Sequence, residues 1–203
     1  MTFPADVTVV IPTIPPRARM LGRALSSVSR QELPAAAVVI VQDIAGEGAS
    51  ATRNRGALHV QTTWTAFLDD DDELLPHHLR RLLGLAAETG AGLVWGWFEV
   101  LGGHDPFPMH RGRPYDPAAP HIVPITYLVR TEELLRGILA TGGFGADPEH
   151  TGAWEIQDAP LFDAIARSAG TANTPDITWL WNHHASNTSG LASRWHAGST
   201  PSA

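Results

Sequence analysis

The sequence predicts an α/β domain: a sheet, parallel through its first three strands, with helices on both faces. Three observations predict it. The β-branched run VTVVI, Val7 to Ile11, stops at Pro12 and reads as a strand buried on both faces. Two further short strands follow, Val38 to Val41, expected to be buried, and Thr65 to Leu68, each after a stretch of helical spacing or capping. A βαβαβ series within about 70 residues closes through right-handed crossovers, which lay helices on a parallel sheet.

The elements follow in order. Met20, Leu21, Ala24, Leu25 and Val28 mark the first helix. The second strand ends at Gln42-Asp43, and a glycine-rich loop, IAGEGAS, leads to Ser50, placed to cap a helix through about His59. The third strand delivers an acidic run, Asp69 to Glu73. Leu79, Leu82, Leu83, Ala86 and Ala87 predict a helix over Pro76–Glu88. Gly92 to Leu101 reads as a strand with Trp95 and Trp97 on one face. Residues 102–120, rich in Gly, Pro and His, read as a long loop, and Ile122 to Val129 as extended. Thr131 is expected to cap a helix carrying Glu132 and Glu133 in its first turn and ended by Gly142-Gly143. Asp158 to Ala169 reads as a helix closed by Gly170, and Thr178 to Trp181 as a last short strand. One domain over 1–196 is expected, with residues 197–203, AGSTPSA, as a disordered tail.

Composition narrows the function. The chain has 203 residues, 14 basic and 21 acidic side chains, and a net charge of −7, which argues against a general nucleic-acid binder. It has no cysteine, hence no disulfide and no thiolate site or nucleophile. MTFPADVTVVIP lacks a basic start and a cleavage site, and no apolar stretch is long enough to span a bilayer, so no integral membrane segment and a cytoplasmic location are expected.

The run FLDDDDELLP is the feature to explain. Acids before a helix favour its positive N-terminus, but one or two suffice, and five adjacent carboxylates repel unless a cation joins them. A helix cap and a metal or phosphate–metal site therefore stand as alternatives. A calcium loop of the EF-hand kind is excluded, since its sixth position needs Gly and here is Leu74. Gly46 and Gly48 lack the third glycine of a dinucleotide fingerprint. Ligands of such sheets bind beyond the C-terminal strand ends. The Pro12–Arg19 loop, Asp43 and Asp69 to Asp72 all fall there.

Seven segments carry a resemblance: VTVVIPTIPPR, ALSSVSRQELPAAAVVIVQD, GASATRNRGA, FLDDDDELLPHHL, YLVRTEELLRGILATGGF, EIQDAPLFDAIARSAG and WNHHASNTSG. In this order and spacing the chain resembles the family 2 inverting glycosyltransferases of the GT-A fold, over about residues 7–190. The resemblance implies a Rossmann-like mixed sheet flanked by helices, with a nucleotide-sugar half over about 5–100 and an acceptor half over about 101–190. It departs from the family where Gln42-Asp43-Ile44-Ala45 replaces Asp-Asp-Gly-Ser, and where Glu155 and Asp158 are separated by Ile156-Gln157.

The resemblance also implies roles. Mn²⁺ or Mg²⁺, which prefer carboxylate and phosphate oxygens, would be held first by Asp71, with Asp72 as a second ligand or a helix cap. Asp69 would face the ribose or reach the ion through water. Asp70 is grouped with the donor-binding residues, with a solvated or capping role open for it and for Glu73. Pro12 and Thr13 form the turn under the donor. Asp43 would accept a hydrogen bond from uracil or thymine N3–H, or merely form a turn. Arg53 would lie near base or phosphates, or at the surface, with Asn54 shaping the pocket. His184 would complete the ion shell or meet the pyrophosphate, with Asn187 and Ser189 on phosphate oxygens. His183 would point the other way. Asp158 would be the general base, or only a helix cap. Side-chain chemistry, apart from the resemblance, puts Trp95 or Trp97 in the core and Trp154 against the acceptor sugar, and charge and loop position would let Arg111 and Arg113 close over the diphosphate. The implied function is transfer of a sugar from a nucleoside-diphosphate donor, UDP-linked by preference, to a carbohydrate or other hydroxyl acceptor. A non-catalytic nucleotide- or carbohydrate-binding module and a sugar-nucleotide pyrophosphorylase are the alternatives.

Overall fold

In the computed structural model, residues 5–116, 125–145 and 158–184 are described. β1 (Ala5–Thr13) is central because both its faces are apolar: Val7, Val9 and Ile11 enter one core, and Val10 enters the other. α1 (Ala18–Ser29) follows a single 3₁₀ turn over Pro15–Arg17, whose prolines suit a first helical turn. β2 (Ala35–Gln42), α2 (Ala49–Ala57) and β3 (Trp64–Phe67) complete the first half, with β1 parallel to both β2 and β3.

The later elements are β4 (Glu73–Leu74), α3 (His78–Thr89), β5 (Leu93–Leu101), β6 (Tyr127–Arg130), α4 (Thr131–Thr141), α5 (Ala159–Ala169) and β7 (Thr171–Asn182). The seven strands lie in the order β2-β1-β3-β6-β5-β7-β4. The sheet is mixed: β6 runs antiparallel to β3 and β5, while β5 and β7 are parallel. Residues from α1 and α3 pack on one face, and residues from α2, α4 and α5 on the other. Among the described residues no helix is long and apolar enough to cross a membrane.

Several expectations are corrected. β7 has 12 residues, not four: its polar start TANTPD is held in the sheet by pairing with β5 from Leu93 onward. Trp95 and Trp97 do not share a face. The register against β7 shifts on either side of Trp97, so Trp95 enters one core and Trp97 the other. Both are about 1% exposed, which settles them as core residues. At the start of α2 the capping position is Gly48, not Ser50, and the Thr52 amide and hydroxyl both donate to the Gly48 carbonyl. Thr131 is the first residue of α4, and its hydroxyl pairs with Thr65 rather than capping.

Candidate active site

At the C-terminal ends of β1, β2 and β3 the sheet opens into a cavity of about 490 Å³. Pro12, Thr13, Asp43, Arg53 and Asp69 to Asp72 all line it, as the sequence led us to expect. β3 brings the acidic run there. The Leu68 amide still bonds the Val10 carbonyl, and the chain then turns, with the Asp72 amide on the Asp69 carbonyl at 3.1 Å.

The helix-cap reading of this run fails. α3 begins only at His78, its first turn has no acid, and no side chain caps it. Glu73 instead opens β4, opposite Leu180, with Arg23 and Arg30 nearby. Asp70 is not solvated either. It is 2% exposed, with Oδ2 accepting from Thr13 Oγ1 at 2.7 Å and Oδ1 from Arg17 Nη1 at 2.9 Å.

The same Arg17 nitrogen donates to Asp71 Oδ2, also at 2.9 Å. His184 Nε2 lies 3.2 Å from that oxygen. Asp69 Oδ1 accepts from Arg53 Nη2 at 2.6 Å, so Arg53 is no surface arginine. Asp72 Oδ1 accepts from the Asn182 amide at 2.9 Å, and the Asn182 side chain donates to the Asp71 carbonyl at 2.8 Å. These two bonds tie the acidic turn to the end of β7.

Burial pushes the Asp72 carboxyl well above the usual carboxylate range, and the neighbouring Asp69 and Asp71 charges push it further. Asp71 is raised for the same reasons, with Arg17 opposing. Among the described residues, the four carboxylates face the guanidiniums of Arg17 and Arg53 and the His184 ring. Asp69, Asp71 and Asp72 each offer an oxygen, all within 4.8 Å of one another. Hard oxygen donors at that spacing fit a divalent ion such as Mg²⁺ or Mn²⁺.

Asp43 takes the turn-forming part: its carboxylate accepts the Glu47 and Gly48 amides at 2.9 and 2.7 Å and closes the loop before α2. Asn54 does not shape the cavity wall. It exchanges hydrogen bonds with the Phe144 amide and carbonyl at 3.0 and 3.2 Å. Gly143 is required beside it: φ is +90°, and a Cβ would fall 2.3 Å from Asn54 Oδ1.

One residue further on, the Gly145 amide donates to Asp158 Oδ1 at 2.7 Å. Asp158 occupies the capping position of α5, yet its side chain makes no capping bond there. Its carboxyl is raised by burial, against the lowering effects of the Gly145 amide and the Arg53 charge. Asp158 is near enough for its charge to act on Arg53, and it is not among the residues that line the cavity. Beside it, Tyr127 Oη and Arg53 Nε are buried without a partner among the described residues.

Of the two adjacent histidines, His184 meets the acidic turn, while the His183 ring packs edge-on against Trp181. Arg111 donates to the Pro175 carbonyl, and neither it nor Arg113 lines the cavity. Trp154, Asn187 and Ser189 lie outside the described residues. Sequence reasoning missed Arg17, which had no motif beyond following Pro15-Pro16. It also missed the apolar wall of Phe98, Phe107, Trp179 and Trp181. Aromatic alternation at Trp179 and Trp181 was the available signal. Phe107 is set in place by Asp105, which accepts its amide and the Trp97 Nε1–H at 2.7 Å each.

Comparison with known proteins gives the same fold. The family model described as glycosyl transferase family 2 matches residues 44–144. No curated protein matches the chain. S. aureus TarS (residues 1–349) in complex with UDP-GlcNAc superposes with a TM-score of 0.72 at 13% identity, over 91% of this chain and 60% of that one. The mannosyltransferase PcManGT from Pyrobaculum calidifontis, in complex with GDP-Man and Mn²⁺, gives 0.62 at 15%, over 88% and 57%. The chain thus spans about three fifths of the length of these structures.

Proposed function

The chain belongs to glycosyl transferase family 2, and from that premise we propose that it is a metal-dependent, inverting glycosyltransferase acting on a nucleoside-diphosphate sugar. One observation supports this above all. A three-carboxylate cluster stands at the sheet edge with Arg53 bonded to Asp69, and the charge of the same guanidinium reaches a separate buried carboxylate, Asp158. A divalent ion at the cluster would neutralise the diphosphate leaving group. The residues divide the rest. Thr13 and Arg17 fix Asp70 and Asp71, and Arg53 fixes Asp69. Asp158, held by Gly145, takes the proton of the acceptor hydroxyl as that oxygen attacks the anomeric carbon. The bond from that carbon to the diphosphate oxygen breaks on the opposite face, so the configuration inverts. Asn187, Ser189 and His184 belong with the diphosphate in this reading.

A UDP-linked donor is favoured, since TarS was crystallised with UDP-GlcNAc. The GDP-Man complex of PcManGT makes guanine the competing base. The test is release of UDP or GDP from UDP- and GDP-sugars with Mn²⁺, followed by NMR of the product anomer. Turnover with an inverted anomer supports the reading, and turnover with retention contradicts it. Binding without turnover, whatever acceptor is supplied, would favour the non-catalytic module.

A further inference from the structure

Asp70 and Asp71 are adjacent, buried and both bonded to Arg17, yet they are not equivalent. Asp71 belongs to the group of carboxylates close enough to share an ion, and Asp70 does not. Asp70 spends its other oxygen on Thr13, so it is anchored to β1. Asp71 Oδ2 is shared by Arg17 Nη1 at 2.9 Å and His184 Nε2 at 3.2 Å. An ion using that oxygen therefore meets a guanidinium already on it.

We propose that Arg17 competes with the divalent ion for Asp71, pivots on Asp70 when the ion enters, and then binds the donor's diphosphate. This rests on the reading of Asp69, Asp71 and Asp72 as an ion site. Charge accounting supports the exchange. Among the described residues, and with all four acids ionised as an ion would hold them, Asp69 to Asp72 bring four negative charges against the two positive ones of Arg17 and Arg53, His184 adding a third only when protonated. A divalent ion balances the remaining two. A diphosphate then adds negative charge, and a cation released from Asp71 is placed to meet it. Geometry supports it too. Arg17 lines the cavity, its side chain is 14% exposed, and it sits on the turn directly after β1. Guanidinium suits phosphate as well as carboxylate. Asp70 thereby gains a part as pivot: it keeps one bond to Arg17 while the bond to Asp71 is exchanged.

The test titrates the full chain with Mn²⁺ alone, read by electron paramagnetic resonance, and then with inorganic pyrophosphate at saturating Mn²⁺. Arg17→Gln should tighten Mn²⁺ by about tenfold, since a positive charge a few ångströms from the ion is removed. The same variant should loosen pyrophosphate by about tenfold. Mn²⁺ affinity that is unchanged or weaker in Arg17→Gln overturns the competition while leaving the ion site standing. Absence of Mn²⁺ binding in both proteins overturns the ion site and this proposal with it. A second reading is taken in the wild type, with the conservative Arg17→Lys used only to assign the signal. Mg²⁺ should shift the Arg17 Nε–H NMR signal, assigned by its loss in Arg17→Lys, and pyrophosphate should shift it again. A signal indifferent to Mg²⁺ contradicts the exchange.

Discussion

The acidic turn after β3 and Asp158 at the head of α5 are both buried carboxylate sites, built in opposite ways. Each carboxylate from Asp69 to Asp71 meets a side-chain cation: Arg17 for Asp70 and Asp71, Arg53 for Asp69. Asp158 is held by a backbone amide at the end of a glycine-rich turn. Cations paired at 2.6–2.9 Å fix orientation and leave a cluster short of positive charge, ready for one more. Among the described residues a single amide binds Asp158, whose carboxyl is raised by burial, as would suit the proton-accepting role proposed for it. The difference separates holding charge from moving a proton, and variants should divide along it.

The largest effect is expected for Asp158→Asn. Transfer should fall by about 10²–10⁴-fold, while calorimetry with UDP and Mn²⁺ gives an unchanged Kd. Asp71→Asn should lose both transfer and Mn²⁺-dependent diphosphate binding, and chelation of the ion from the wild type should mimic it. If the two variants behaved alike, the division would be wrong.

The pH profile sharpens the same contrast. Asp158 must be ionised to act, and burial raises its carboxyl, so kcat should fall on acidification above the usual carboxylate range near 4. Arg53 lowers that carboxyl, so Arg53→Met should move the acid limb to higher pH, whatever it costs in KM. A limb that stays in place would detach Arg53 from the base.

Gly143→Ala should cost about 1–3 kcal/mol of stability in a denaturant melt, because its φ is +90° and the new methyl meets Asn54. Its kinetic effect should fall on the base side, with diphosphate affinity spared. The smallest effect is expected for Glu132→Ala, which breaks the exposed i,i+4 pair with Arg136 and should shift stability by less than about 0.5 kcal/mol.

The element order of the first half was readable because β1, β2 and β3 carry apolar runs divided by helices, but the expected burial of β2 was not borne out: it is an edge strand, with Val38 39% and Ile40 46% exposed. The cavity residues followed, since strand ends fix where loops meet. Tertiary facts were not readable. β7 looked short because TANTPD carries no strand pattern, and only β5 holds it in place. Trp95 and Trp97 looked coplanar because alternation assumes an unbroken ladder, which the register shift around Gly96 violates. The four aspartates could be counted but not ranked. Arg17 selects Asp70 and Asp71 from 53 and 54 residues away, and no local spacing reports that.

The most direct test of the account is a thermal-shift panel of UDP, GDP, dTDP and CDP, each with and without Mn²⁺. Stabilisation by one diphosphate, present only with Mn²⁺ and absent in Asp71→Asn, is the result predicted here. Equal stabilisation with and without the ion, or in Asp71→Asn, would contradict it.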